Sequence, residues 1–189
     1  ILFGNLEAPL ISREIKQVYN KSHFAGSERF AEWLFEAGYG LLSVANNHVL
    51  EFGEAGFRNT VEVLKEKHLN PVGIADDQSG SNLSVIEAGS TLLGFAAFNA
   101  VHDIENDSCY AELNAQNVRK AIVALQAREV DVICLSFHWG NEYIHIPSWN
   151  QVQLARQAID EGADLIIGHH PHVVQPIEQY EQGWILYSL

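Results

Sequence analysis

Along the chain, short apolar runs alternate with stretches whose apolar residues recur every three or four positions. Residues 1–3 read as the end of a strand and residues 41–44 as a buried one. Residues 132–137, 165–167 and 184–189 read the same way. Between these runs lie amphipathic segments. Ser27 can cap a helix over residues 28–37, with Phe30, Trp33, Leu34 and Ala37 on one face and Gly38 closing it. Phe30 and Trp33 are therefore expected in the core. Further helices are predicted over about 54–68, with Pro71 marking the far side, over 116–129, and over 149–161, where Gly162 stops the last one. Residues 83–86 and 91–98, separated by Glu87, Ala88, Gly89 and Ser90, predict a hairpin, and residues 101–114 a loop rich in Asn and Asp. Strands alternating with helices predict an α/β fold with a largely parallel core sheet and some antiparallel pairing.

The polar residues that follow the strands carry the chemistry. Gly4, Asn5, Leu6 and Glu7 follow the first strand, and Ala45, Asn46, Asn47 and His48 the second. His138, Trp139 and Gly140 follow residues 132–137, and Gly168, His169, His170, Pro171 and His172 follow residues 165–167. In open α/β sheets, ligands bind at the carboxyl ends of the strands, so neighbouring strands would gather these groups into one site. Several imidazoles with a carboxylate and an amide suit Zn, Mn, Fe or Co better than Mg or Ca. There are more candidate ligands than one four-coordinate ion needs, which predicts two ions. Such a pair, roughly 3.5–4 Å apart, would clamp a phosphoryl group, and a spare imidazole could protonate the leaving oxygen.

The other histidines carry plainer readings. His23 and His102 lie in polar stretches, and His68 falls at a helix C-terminus, where the dipole favours it. His145 follows the His138 segment closely enough to face the same cleft. Trp139 fits core packing and a wall of the site equally well. Cys134 lies in an apolar run and reads as a small buried thiol; two cysteines are too few for a disulfide framework.

Composition changes this picture in two ways. With 24 acidic and 11 basic residues in 189, the formal net charge is −13, which argues against nucleic acid and anionic lipid as partners. A cluster of imidazoles and cations would nevertheless be a positive spot able to attract an anion. The chain contains no Met and begins at Ile1 in an apolar run, so a piece of a longer chain is expected, with any leader or anchor out of view. The length suits one domain over residues 1–189. Eight strand–helix units of a barrel would not fit in it.

These segments resemble the CapA-type capsule, or poly-γ-glutamate synthesis, proteins of the calcineurin-like metallophosphoesterase superfamily. The resemblance rests on Gly4-Asn5-Leu6-Glu7 with Pro9, and Ala45-Asn46-Asn47-His48 with Gly53 and Gly56. It continues through His138-Trp139-Gly140 with Glu142-Tyr143, Gly168-His169-His170-Pro171-His172-Val173 with Gln175, and Tyr187-Ser188-Leu189. It implies a two-sheet sandwich flanked by helices, in four layers ordered αββα, with a dinuclear site of Mn, Zn or Fe at the strand ends. Glu7 stands where the bridging carboxylate falls, Asn47 resembles the amide ligand, and His138 the lone imidazole of the fourth motif. His170 and His172 match the paired imidazoles of the last motif. His48 resembles the acid that protonates the leaving group, while Asn5, Glu142 and His169 are assigned to the substrate.

The first motif of the superfamily, a strand ending in an Asp ligand, has no counterpart here, and the family pattern would continue past Leu189 into Gly-Asn-Phe. Both departures fit an expected truncation at each end. The function implied is synthesis or export of an anionic capsule polymer at the bacterial cell envelope, alongside capsule-synthesis membrane proteins. The implied chemistry is hydrolysis of a phosphoester by a metal-bound hydroxide. The alternative is a non-catalytic polymer-binding or assembly subunit that retains the fold.

Overall fold

A computed structural model of the protein describes residues 1–19, 24–75, 82–101 and 109–189, so His23 and His102 lie outside the described residues. Three parallel strands form the smaller sheet: β1 (Leu2–Asn5), β4 (Tyr39–Ser43) and β5 (Asn70–Val72), in the order β1-β4-β5. Two short segments missed by the hydrophobic pattern, β2 (Leu10–Ile11) and β3 (Gly26–Ser27), pair in parallel beside it. The larger sheet has six strands. They are β6 (Leu83–Ala88), β7 (Thr91–Asn99), β8 (Val132–His138), β9 (Leu165–His169), β10 (Ile177–Tyr180) and β11 (Gly183–Leu186), in the order β10-β11-β9-β8-β7-β6. Its four central strands β7, β8, β9 and β11 run parallel, and the expected β6–β7 hairpin and the unexpected β10–β11 hairpin add antiparallel edges.

The period-two alternation of these strands builds the layers. On β7, Phe95 and Ala97 join Leu42, Val44 and Val72 of the smaller-sheet side, while Ala96 and Phe98 belong to a second apolar cluster. On β8, Cys134 takes the inter-sheet face and Ile133, Leu135 and Phe137 the opposite one. Phe3 stacks on Phe95 across the gap, with centroids 6.0 Å apart. The helices α2 (Arg29–Glu36) and α3 (Gly53–Glu66) cover the smaller sheet. On the far side, α4 (Ala115–Gln126) and α5 (Trp149–Asp160) cover the larger one. The result is the expected αββα order, with a further short helix, α1 (Arg13–Tyr19), after β2. No helix among the described residues is long and apolar enough to cross a membrane.

Local signals behave as their chemistry requires. Asn114 caps α4 by accepting from Asn117 N at 2.9 Å, and Ser148 caps α5 in a reciprocal capping box with Gln151. Gly38 closes α2 at φ +89 and Gly162 follows α5 at φ +114. Cys134 is buried, and burial pushes its thiol up to about 12.

Other expectations are corrected. Ser27 belongs to β3, and α2 has no side-chain cap. Pro71 does lie past the end of α3, and it falls within β5, on an edge strand that tolerates its missing N–H. Phe30 and Trp33 are 46% and 51% exposed, because α2 turns Ala31 and Leu34 inward and leaves the aromatic face outside. There the Trp33 ring packs on Phe30 and lies under the Arg29 guanidinium. The last strand ends at Leu186, earlier than expected.

Candidate metal centre

The carboxyl ends of β1 and β4 in one sheet face those of β8 and β9 in the other. The expected site therefore straddles two sheets rather than running along one. β1 ends at Asn5, β4 leads into Asn46–His48, β8 ends at His138 and β9 at His169, which is paired with His138 in register.

Side-chain hydrogen bonds tie the two halves together. Asn47 Oδ1 accepts from His138 Nε2 at 2.8 Å, and Asn5 Nδ2 faces His138 Nδ1 at 3.2 Å. These partners assign the proton to Nε2 and leave a lone pair on Nδ1. Asn5 also donates to Glu7 Oε1 at 2.8 Å, and Glu7 Oε1 lies 3.9 Å from His138 Nδ1. Asn46, fully buried, anchors this chain. Its Nδ2 donates to Asn5 Oδ1 at 3.2 Å and to Leu6 O at 2.9 Å, and its Oδ1 accepts from His48 N at 3.2 Å.

His48 is oriented by a residue that the sequence reading passed over. Its Nδ1 donates to Glu51 Oε1 at 2.5 Å, while Asn47 Nδ2 approaches its Nε2 at 3.4 Å. Glu51 Oε2 in turn accepts from Phe24 N at 2.7 Å, and the Phe24 ring meets the His48 ring edge-on. The signal was a His and a Glu three positions apart beside a strand end.

The imidazoles from β9 complete the cluster. The His170 ring lies 4.9 Å from His138 and 6.1 Å from His172, centroid to centroid. Glu142, His170 and His172 each place one ligand atom within 4.8 Å of the others. His169 points between the sheets against Phe3, and its buried Nε2 has no hydrogen-bond partner among the described residues. His145 stays outside this group, exposed with its Nδ1 3.4 Å from Val174 O. Trp139 is core: it is buried and donates from Nε1 to Tyr187 O at 3.0 Å.

Electrostatics favour lone pairs over protons here. Burial holds His138 down to about 2, with the imidazoles of His170, His169, His48 and His172 adding to the effect. Burial likewise holds His169 down to about 4. Imidazoles, two carboxylates and an amide oxygen, drawn together, are a donor set that fits divalent transition metals.

A family described as "Bacterial capsule synthesis protein PGA_cap" matches residues 1–189. The chain belongs to this bacterial capsule synthesis family. It is 32% identical over 98% of its length to the capsule biosynthesis protein CapA of Bacillus anthracis, covering 48% of that protein. It is 30% identical over 98% of its length to the PGA biosynthesis protein CapA of Bacillus subtilis (strain 168), covering 51% of it. The chain thus spans about half the length of these relatives.

Among solved structures, the sulfate thiohydrolase SoxB of Thermus thermophilus superposes with a TM-score of 0.60 at 18% identity, over 85% of this chain and 29% of that one. A phosphatase of Mycoplasma pneumoniae gives 0.60 at 14% identity, over 93% and 63%. The fold of this PGA_cap member is that of the calcineurin-like metallophosphoesterases.

Proposed function

We propose that this PGA_cap chain is the metal-dependent hydrolytic unit of capsule polymer synthesis or export at the cell envelope, of the poly-γ-glutamate type, acting on a phosphoester. The observation that carries the reading is His138, buried and neutral between Asn47 and Asn5, with His170 beside it, where four strand ends from two sheets meet. The apolar core shared by the two sheets supports reading residues 1–189 as one domain. Glu7, Asn47, His138, His170 and His172 would hold two divalent ions of Mn, Zn or Fe. When bound, such ions supply positive charge that draws a phosphoryl group and acidifies water.

The chain's own residues supply the rest. Asn5 and Asn46 fix the positions of Glu7 and His138 through their amide hydrogen bonds. Glu51 holds the Nδ1 proton of His48, leaving Nε2 to carry and release a proton to the leaving oxygen. His169, half-buried with its Nε2 shielded from solvent, is assigned to the substrate with Asn5.

The test is metal analysis of the protein after loading with Mn2+ or Zn2+, with turnover of a generic phosphodiester by wild type and His138→Ala. About two metal equivalents and turnover lost in a folded variant are expected. No bound metal would sink the reading. Metal binding without phosphoester turnover, with capsule polymer still bound after His48→Ala, would favour a non-catalytic assembly subunit.

A further inference from the structure

Glu142 lies four residues beyond His138, on the loop between β8 and α5, and stands in the sequence as a substrate residue. The structure gives it different company. Its carboxylate is within 4.8 Å of ligand nitrogens on both His170 and His172. It is exposed, and no hydrogen bond or ion pair to it is found among the described residues. His170, by contrast, is buried.

The backbone around this trio is unusual. Six residues other than glycine adopt positive φ among those described, and three of them are here: Tyr143 at +60, His170 at +98 and His172 at +55. Left-handed backbone is strained for a residue with a Cβ, and such strain collects where surrounding contacts impose it at functional sites. Contacts between the two loops impose it here. Tyr143 N donates to Pro171 O at 2.8 Å, Trp139 N to His169 O at 3.1 Å, and Gln175 Nε2 to Ile144 O at 2.8 Å. Together they pin the Glu142 loop to the histidine loop, which sets the Glu142 backbone beside the two imidazoles. Two imidazoles and one carboxylate are the protein ligands of many catalytic zinc sites, which keep a further position open.

We propose that Glu142 is a metal ligand, forming with His170 and His172 a site for one divalent ion separate from the group around His138. The inference rests on the metal-binding reading above and deepens it. The inner ion would take its ligands from the buried strand ends, and the outer ion from two exposed side chains and His170. The outer ion would therefore be the more readily exchanged of the two.

Zinc titration of the metal-stripped chain by calorimetry, with metal analysis of the product, tests this on wild type, Glu142→Ala, Glu142→Asp and His172→Ala. Wild type is expected to take up two classes of zinc. Glu142→Ala and His172→Ala should lose one class, or weaken it about tenfold or more, and Glu142→Asp should restore part of it. Because Glu142 is exposed, the near-UV circular dichroism of metal-free Glu142→Ala should match wild type. Wild-type zinc uptake in Glu142→Ala would overturn the inference and leave the metal reading standing. Absence of zinc uptake by wild type would overturn the metal reading itself.

Discussion

Gly168 is the point where the site-bearing strand touches the end of the chain, and replacing it with Ala should be costly. A Cβ at this position would lie 2.0 Å from the Tyr187 carbonyl oxygen, 2.6 Å from its carbon and 2.7 Å from Trp139 Nε1. Ordinary carbon–oxygen contact needs roughly 3.3 Å, so a backbone segment must retreat by about 1 Å. Overpacking of this kind costs roughly 1–3 kcal/mol, and a backbone neighbour places it at the upper end. The retreat also strains the Trp139 Nε1 to Tyr187 O bond of 3.0 Å and the Leu189 N to Gly168 O bond of 3.2 Å, each worth about 1 kcal/mol. Gly168→Ala should therefore lose about 3–4 kcal/mol, which for a chain of this size lowers Tm by roughly 10 °C.

Gly40→Ala is the control, since nothing lies within 4 Å of its Cβ position and its φ is ordinary. It should change stability by less than about 1 kcal/mol. Urea unfolding followed by circular dichroism, with thermal scans, measures both. A Gly168→Ala protein within about 1 kcal/mol of wild type would refute the close-approach argument. The displaced segment carries His169 to His172, so zinc uptake should fall alongside stability.

Acid should destabilise the metal-free protein. His138 and His169 are held far below the usual imidazole value when folded, so the unfolded chain takes up their protons first as pH falls. Between pH 7.5 and 5.5 each forfeits about 1.4 kcal/mol, together roughly 2–3 kcal/mol, and the loss continues toward pH 4; an unchanged urea midpoint across that interval would contradict this. Glu51→Gln should lower phosphodiester turnover about 10- to 100-fold and shift its pH profile, because the amide no longer holds the His48 Nδ1 proton as a carboxylate does; an unaltered profile would remove Glu51 from the mechanism. Trp33→Ala should cost under about 1 kcal/mol while Phe137→Ala costs about 3–5, a contrast read by urea unfolding; equal losses would place Trp33 back in the core.

The parts legible in the sequence were those whose burial is continuous. β4, β8 and β9 are covered on both faces, so they read as unbroken apolar runs, and the polar residues at their ends stand out. β2 and β3 have two residues each, too few for any period, and β10 mixes Glu178 and Gln179 with Ile177 and Tyr180 at an edge. The periodicity of α2 shows that an apolar face exists without saying which side meets the sheet; Ala31 and Leu34 win that contact from Phe30 and Trp33. The pairing of His48 with Glu51, and of Glu142 with the histidine loop, depends on how the chain bends after a strand, which composition and spacing do not encode.

The division of the donor groups between two sheets has a consequence for assembly. Residues 1–72 bring Asn5, Glu7, Asn47 and His48, whereas residues 132–172 bring His138, Glu142 and every other imidazole of the cluster. Neither portion possesses the constellation alone. The hydrogen bond from His138 to Asn47 spans 91 positions of sequence and forms only when the two layers have docked in their native offset. The state of the cluster is thus a gauge of layer alignment. A small sideways slip of one sheet over the other, absorbed within the apolar packing, would part these donors well before it unfolded either sheet.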